Sequence, residues 1–322
     1  MPKTSSDLSR ITLHGPAMGT RWSASLDAAP ALDVPALRQA LAAAVQQVDQ
    51  QMSPWRPDSD LTRFNRAAAD QWITLPAEML QVLARAQEIC RLSGGAFDPA
   101  VGALVDAWGF GAPRDAPDST AISAARQLGR RPIDQWLELD ASAGRARKRA
   151  PMQIDLCGIA KGYAVDRMAA VLRRHGVAHA LAALDGELCA LGSQADGRPW
   201  SVAIESPQRD RRAVHGVIEL SELAIATSGD YRHWVQVGQT YLSHTMDGRR
   251  AAPVNNAVAA VTVLATDCMS ADAWATALLV AGPEAGLAMA QRMGLEALFL
   301  VRRAEGLVEM GLGRFGAAAG GS

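Results

Sequence analysis

The sequence predicts an α+β fold, and three observations lead to this prediction. The chain has 322 residues, a length that fits one large domain or two intimate subdomains. Hydrophobic residues make up 49% of it and charged residues 20%, which is typical of a globular protein and excludes a disordered or collagen-like chain. The strand candidates cluster in the second half instead of alternating with helices, which favours α+β over a doubly wound parallel sheet.

The first half of the chain is predicted to be mostly helical. Residues 20–26 alternate between apolar and polar side chains and predict a strand, and residues 34–52 carry apolar side chains at helical spacing. A second helix is predicted to begin at Pro76 and to end at Gly94, and a third spans residues 159–175. The predicted buried positions of the first strand and helix are Trp22, Ala24, Leu26, Leu37, Leu41, Val45, Val48 and Met52.

The second half is predicted to hold most of the sheet. Its strand candidates are separated by Gly, Asp and Pro turn signals and lie at residues 178–184, 188–191, 200–205, 216–220, 234–237, 257–265 and 297–301. Helices are predicted over residues 271–281 and 284–293. Residues 1–10 are polar and residues 316–322 are rich in Gly and Ala, so both ends are expected to be flexible around one domain over residues 11–315.

Charge and hydropathy exclude several classes of function. The net charge of -1 gives no electrostatic reason to expect nucleic acid or an anionic membrane as a partner. No stretch reaches the ~18 apolar residues of a membrane span, and the N-terminus lacks the apolar region of a secretory signal. The sequence as written therefore predicts a cytoplasmic protein, with a periplasmic location as the alternative if an export signal has been removed.

The cysteine spacing and the absence of common nucleotide-binding motifs argue against several further classes of protein. The four cysteines are widely spaced and form no C-x-x-C pair, so they are expected to be small core residues in a reducing compartment. The chain contains no phosphate-binding loop of the G-x-x-x-x-G-K-[ST] type, no G-x-G-x-x-G after a strand and no G-x-S-x-G. Common ATPases, NAD enzymes and α/β hydrolases are disfavoured.

Two polar segments suggest a phosphate and a cation. At residues 153–166, a strand delivers Asp155 to a turn and a helix carries Lys161 in its first turns, next to a helix N-terminus that suits anions. Farther on, Asp272 and Thr276 share one helix face, and their oxygens, with a backbone carbonyl, suit Mg²⁺. Each pattern also has a purely structural interpretation, as a helix cap with a solvated lysine or as a hydroxyl bonded back to a carbonyl.

Three more segments are candidates for binding or catalysis. His244 and Asp247 lie on a tight loop, where the pair could transfer protons, although an Asp before Gly is also common in turns. Glycines around residues 94–111 allow the backbone to approach a ligand. Residues 17–20 combine with a Pro-bounded loop on which Trp55 could stack on a flat ring or simply pack in the core.

Taken together, these segments resemble the ApbE family of FAD:protein FMN transferases, in the family's order and spacing from Ala17 to about Val301. The resemblance implies a single domain related to the T-fold, with mixed or antiparallel sheets flanked by helices. The segments that carry it are residues 18–20, 52–65, 95–111, 155–166, 227–232, 243–247 and 271–276.

The resemblance also implies an activity and a set of site residues. Family members bind FAD and Mg²⁺ and move FMN onto a Thr or Ser hydroxyl of a client flavoprotein, releasing AMP. The positions that match the family's FAD contacts are Met18, Trp55, Ala96, Phe97, Asp98, Asp155, Lys161 and Met246, several of them through the backbone. Those that match its metal ligands are Gly158, Asp272 and Thr276. The functionally important His falls on His244, and Asp247 is a hypothetical partner in proton transfer.

This chain departs from the family pattern at three places. Cys157 replaces a Gly beside the proposed carbonyl ligand, Asp185 replaces the first Gly of a G-G-[DE] turn, and Gly248 replaces a Pro after Asp247. None of these changes removes a proposed side-chain ligand. Two alternatives stay open at this level: an Mg²⁺-dependent FAD pyrophosphatase, in which water replaces the client hydroxyl, and a non-enzymatic FAD-binding protein.

Overall fold

An antiparallel sheet of eight strands organises the part of the chain that the structure describes. The structure is a computed structural model that describes residues 8–111, 116–127, 132–208, 211–231, 234–237 and 240–316. The helices, in chain order, are α1 (Val34–Met52), α2 (Asp60–Arg66), α3 (Ala77–Leu92), α4 (Gly102–Ala107), α5 (Ser119–Gln127), α6 (Ile133–Trp136), α7 (Ala160–Arg174), α8 (Cys268–Ala281) and α9 (Pro283–Met293).

The strands of the large sheet follow the order β1-β2-β6-β7-β10-β15-β16-β17, and neighbouring strands run antiparallel. They are β1 (Ser9–Ala17), β2 (Thr20–Ala28), β6 (Ala180–Leu184), β7 (Glu187–Leu191), β10 (Ala224–Gly229), β15 (Val258–Ala265), β16 (Glu296–Arg303) and β17 (Gly306–Gly311). The smaller sheets comprise β3 (Ile73–Thr74), β4 (Leu137–Asp140), β5 (Arg145–Lys148), β8 (Trp200–Glu205), β9 (Val214–Leu220), β11 (Trp234–Val237), β12 (Thr240–Ser243), β13 (Met246–Asp247) and β14 (Ala252–Pro253).

Both faces of the large sheet are covered, which explains the continuous apolar run of β15. Val261 and Val263 point into the main core, whereas Ala260 and Leu264 point to the opposite face, because side chains alternate along a strand. Helices α7 and α8 pack on the first face, and α1 packs on α7. The β8–β9 hairpin covers part of the other face, where its Trp200 packs beside Leu264.

The structure confirms the α+β class and most of the predicted elements. Helix α1 has the predicted bounds and buries the predicted residues. Helix α3 begins one residue after Pro76, which is its N-cap, and α8 begins three residues earlier than predicted because Asp267 caps it through a bond from the Ser270 amide. Cys90, Cys157, Cys189 and Cys268 are free, as predicted.

The expected flexibility of residues 1–10 is wrong for Ser9 and Arg10, which belong to β1. The Arg10 guanidinium forms an ion pair with Asp27, which lies in β2 opposite Arg10 itself. This strand escapes a hydrophobic-pattern analysis because, among its side chains, only Leu13 is fully buried. The predictions for residues 1–7 and 317–322 lie outside the described residues.

Among the residues that the structure describes, no helix combines the length and the apolarity needed to cross a lipid bilayer.

Candidate active site

A cleft of about 1530 Å³ brings the predicted site residues together. It is larger than the roughly 300–1,000 Å³ of most small-molecule pockets, and its size suits a dinucleotide. It lies beside the first turns of α7 and the side of α8 that carries Asp272 and Thr276. The predicted residues that line it are Met18, Trp55, Ala96, Phe97, Asp98, Asp155, Gly158, Lys161, His244, Met246, Asp272 and Thr276.

One carboxylate joins the two helices at the centre of the cleft. Helix α7 begins after Ile159, whose side chain cannot cap it, and the Asp272 Oδ2 atom on α8 accepts the Gly162 backbone N–H at 3.0 Å instead. The helices approach closely here, because a Cβ on Gly162 would lie 2.3 Å from the Cys268 carbonyl oxygen. Asp272 Oδ1 has no hydrogen-bond partner among the described residues and is available to a ligand of the cleft.

Thr276 stands one helical turn after Asp272 and completes an oxygen-rich corner. Its Oγ1 lies 3.0 Å from Ser228 Oγ on β10. A Cβ on Gly158 would lie 3.0 Å from the same Thr276 oxygen and 3.4 Å from the Phe97 ring, so the Gly158 backbone packs directly against the hydroxyl. A carboxylate, a hydroxyl and a backbone carbonyl have the ligand chemistry of Mg²⁺, so these three residues fit the predicted ion.

Clusters of three His, Cys, Asp or Glu side chains that could hold a metal are absent from the described residues. Such a cluster is typical of zinc and of many transition-metal sites. The corner described above has one carboxylate, and its remaining oxygens come from a hydroxyl and the backbone. This composition favours a hard cation that keeps water and substrate oxygens in its coordination shell.

Lys161 carries a positive charge beside the oxygen-rich corner and is surrounded by carboxylates. Its Nζ lies 3.1 Å from Asp185 Oδ2. Burial opposes its charge, but Glu187, Asp185 and Asp272 outweigh burial and raise the pKa of Lys161. Lys161 is therefore a cation at neutral pH, in position to neutralise an anionic ligand.

Asp185 occupies the tight turn between β6 and β7. Its φ of 57° lies in the left-handed region, which Gly adopts freely and which Asp tolerates better than most residues. The replacement of a family Gly by Asp therefore keeps the turn and adds a carboxylate beside Lys161.

Glu187 was not among the predicted site residues. It is 6% exposed, lines the cleft, and its Oε2 has no hydrogen-bond partner among the residues that the structure describes. Burial and the nearby charge of Asp272 raise the pKa of Glu187, and burial likewise raises the pKa of Asp272. In the sequence, Glu187 stood out only as the third position of the G-G-[DE] turn. Its proximity to Asp272, which comes from a distant segment of the chain, appears only in the fold.

Asp98 and Asp155 use their carboxylates to shape the backbone around the ligand space. Asp98 Oδ1 accepts the Ala100 and Ile133 amides at 3.0 and 3.1 Å. Asp155 Oδ1 accepts the Cys157 amide at 2.7 Å.

Met18 and Trp55 form the other side of the cleft. Met18 and Gly19 have φ of 48° and 74°, the conformation of a two-residue turn between β1 and β2. Trp55 is 56% exposed, so it is not a core residue, and its indole is accessible to a flat ligand. Met246, by contrast, is buried against Leu104.

His244 and Asp247 have different environments. The His244 ring lines the cleft and meets Phe110 edge-on, with ring centroids 6.4 Å apart. Asp247 is 5% exposed, does not belong to the lining, and binds the amide and guanidinium of Arg249 at 3.0–3.2 Å. The Asp247 carboxylate therefore closes the turn through Arg249, and its part in proton transfer with His244 stays a prediction.

Known proteins of one family resemble this chain in both sequence and structure. A model of the ApbE family matches residues 18–299. The FAD:protein FMN transferase of Vibrio cholerae serotype O1 is 36% identical over 303 residues, 93% of this chain and 90% of the relative. The structure of flavin transferase ApbE from Vibrio cholerae has a TM-score of 0.85 at 35% identity, covering 96% of this chain and 98% of that one. The apo crystal structure of Pseudomonas stutzeri flavinyl transferase ApbE gives a TM-score of 0.84 at 35% identity, with 94% and 95% covered.

Proposed function

The chain belongs to the ApbE family and is an FAD:protein FMN transferase, and we propose that it works with Mg²⁺ in the cleft described above. The acceptor is a Thr or Ser hydroxyl of a client flavoprotein, and AMP is released. The observation that carries the proposal is that Gly158, Asp272 and Thr276 meet at one corner of the cleft that Lys161 and His244 also line.

Binding of FAD is assigned to both sides of the cleft. The exposed indole of Trp55 offers a stacking surface for one of the two ring systems. The amides of the first turn of α7 and the Lys161 ammonium take up the negative charge of the pyrophosphate. The Asp98 and Asp155 loops set the backbone that surrounds the rest of the ligand.

Mg²⁺ would be held by Asp272, Thr276 and the Gly158 carbonyl. When bound, the ion withdraws charge from phosphate oxygens and so makes phosphorus a better electrophile. Lys161 neutralises further charge at the same place and does not depend on the metal.

His244 is proposed as the group that takes the proton of the acceptor hydroxyl. The hydroxyl oxygen forms a bond to the FMN phosphorus while the bond from that phosphorus to the bridging oxygen breaks, and AMP leaves with that oxygen. The proton passes to an imidazole nitrogen of His244. The Phe110 ring meets the imidazole edge-on from one side.

The test uses the full chain with FAD, Mg²⁺ and a client that bears the acceptor Thr. Mass spectrometry is expected to find the client heavier by one FMN, with AMP in equal amount. Equal rates of FMN and AMP release with an unmodified client would instead support the pyrophosphatase. Unchanged FAD would support a binding protein.

The role of His244 is tested in the same assay. His244→Ala is expected to bind FAD normally and to slow transfer by about 10²–10⁴-fold. His175→Ala is the matched control, because His175 bonds the Val171 carbonyl at the end of α7, away from the cleft lining. Loss of FAD binding in His244→Ala, or transfer at the control rate, would contradict the assignment.

A further inference from the structure

The cleft extends well beyond the corner that holds the candidate cation ligands. Its far part lies over three apolar side chains of the large sheet, Leu181 on β6, Leu188 on β7 and Ile225 on β10. Leu188 and Ile225 are directly opposite each other in the sheet register. Leu181 and Leu188 stay half-buried, because the β8–β9 hairpin covers only part of this face. We call this extension the acceptor groove.

One wall of the acceptor groove is the edge of β8. Residues 201–205 all line it, although Val202 and Ile204 are buried and Ser201 and Ala203 are exposed. Side chains of both faces line a cavity only when the strand presents its edge, because successive side chains point to opposite faces. The opposite edge of β8 is taken by β9, and β8 pairs with no other strand in the described part of the chain.

An unpaired edge of this kind binds extended chains. Its backbone N–H and C=O groups form a template to which another strand can be added, and strand addition is a common way to bind a peptide. The half-buried leucines of the floor offer contacts to alternate side chains of such a peptide.

The acceptor groove leads to the site of the reaction. The Tyr231 hydroxyl donates to Glu205 at the C-terminal end of β8. Tyr231 follows the end of β10 closely, and Ser228 of β10 contacts Thr276 at the cation corner. Glu205 and Thr276 both line the cleft, so a chain that lies along β8 past Glu205 stays in the cavity that contains the corner where a hydroxyl must meet phosphorus.

We propose that the acceptor groove binds the client flavoprotein through an extended segment that adds to β8 as a strand. This proposal rests on the proposed function, since the segment must carry the acceptor Thr or Ser. The segment places apolar side chains on Leu181 and Leu188 and delivers the hydroxyl beyond Glu205. The enzyme then recognises the client through backbone hydrogen bonds to β8 and through Leu181 and Leu188, and not through the fold of the client.

The test compares two variants that add the same side chain to the same hairpin. Ala203 lines the acceptor groove, whereas Val217 is paired with it in the register, is 66% exposed and lies outside the lining. With a peptide of about a dozen residues that carries the acceptor Thr, Ala203→Arg is expected to raise KM about tenfold or more. Its FAD affinity and kcat are expected to stay within about threefold of the wild-type values, and Val217→Arg is expected to behave like the wild type.

A second arm tests the backbone bonds with peptides that are N-methylated at alternate positions. In an added strand, alternate N–H groups point to β8, so one alternating set is expected to abolish modification and the other to be tolerated. The docking proposal is overturned if both sets of N-methylated peptides are modified equally well, or if both Arg variants have the same KM. Modification of the folded client but not of the peptide also overturns it and leaves the transferase assignment intact. Failure of the wild-type enzyme with both acceptors overturns the transferase assignment itself.

Discussion

We expect the replacement of Asp272 by Asn to abolish transfer activity while the protein becomes more stable. The Asn side-chain oxygen can still accept the Gly162 N–H that Asp272 Oδ2 accepts at 3.0 Å, so the N-terminus of α7 stays capped. The charge that a divalent ion needs is lost. We therefore expect Asp272→Asn to fold, to bind no Mg²⁺ and to lose Mg²⁺-dependent transfer.

The expected gain in stability follows from the pKa of the carboxyl. Burial raises the pKa of Asp272 from 3.8 to about 6, against the opposing effects of the Gly162 amide and Lys161. A pKa raised in the folded state means that the carboxyl's contribution to stability is complete below pH ~4 and is lost as pH rises through about 6. At pH 8 without metal, the ionised carboxylate costs about 3 kcal/mol at most. Asp272→Asn removes that cost, and its melting temperature is expected to exceed the wild-type value by about 2–6 °C.

Thermal melts at pH 5 and pH 8, with and without Mg²⁺, test this reasoning. Mg²⁺ at a hundred times its dissociation constant is expected to stabilise the wild type by about 2.7 kcal/mol and to leave Asp272→Asn unchanged. Asp267→Asn is the matched control, because Asp267 caps α8, the helix that carries Asp272, from outside the cleft lining, and Asn is an equally good cap. A lower melting temperature of Asp272→Asn at pH 8, or a normal response to Mg²⁺, would refute the argument.

Three further changes give distinct outcomes. Gly162→Ala is expected to destabilise the fold by about 1–3 kcal/mol in urea unfolding, because its Cβ would overlap the Cys268 carbonyl, whereas Gly216→Ala meets nothing within 4 Å and should be near neutral. Trp55→Ala is expected to weaken FAD binding about 3–10-fold in a fluorescence titration without loss of stability, and Trp55→Tyr should restore it. Asp247→Ala is expected to lower the melting temperature, because the bonds to Arg249 are lost, and to leave the pH profile of transfer unchanged; a shifted profile would support the residue as a proton relay.

The sequence predicted the helices better than the sheet, for a physical reason. Helix α1 was predicted correctly because its apolar side chains recur at helical spacing over five turns. Strand β10 was missed because its second half, Thr227 to Gly229, is polar and reads as a loop, although it pairs with β15 along its whole length. Strand pairing depends on partners that are distant in the chain, and no local pattern reveals them.

In the candidate site, too, local features were predictable from the sequence and contacts between distant segments were not. The motifs predicted twelve residues that the structure brings to one cleft, because short motifs determine the local backbone. The motifs could not show that the Asp247 carboxylate binds Arg249, or that Glu187 lines the cleft near Lys161 and Asp272. The direction of a side chain and the sum of charges around it are properties of the assembled fold.

The bond from the Gly162 amide to Asp272 has a consequence for observing the protein at work. The same carboxylate closes the first turn of α7 and faces the ligand space, so any ion drawn to it changes the electron density that this single amide senses. The Gly162 N–H is thus a native spectroscopic reporter. Its chemical shift and its exchange with deuterated solvent are expected to follow occupancy of the site without any label placed in the cleft.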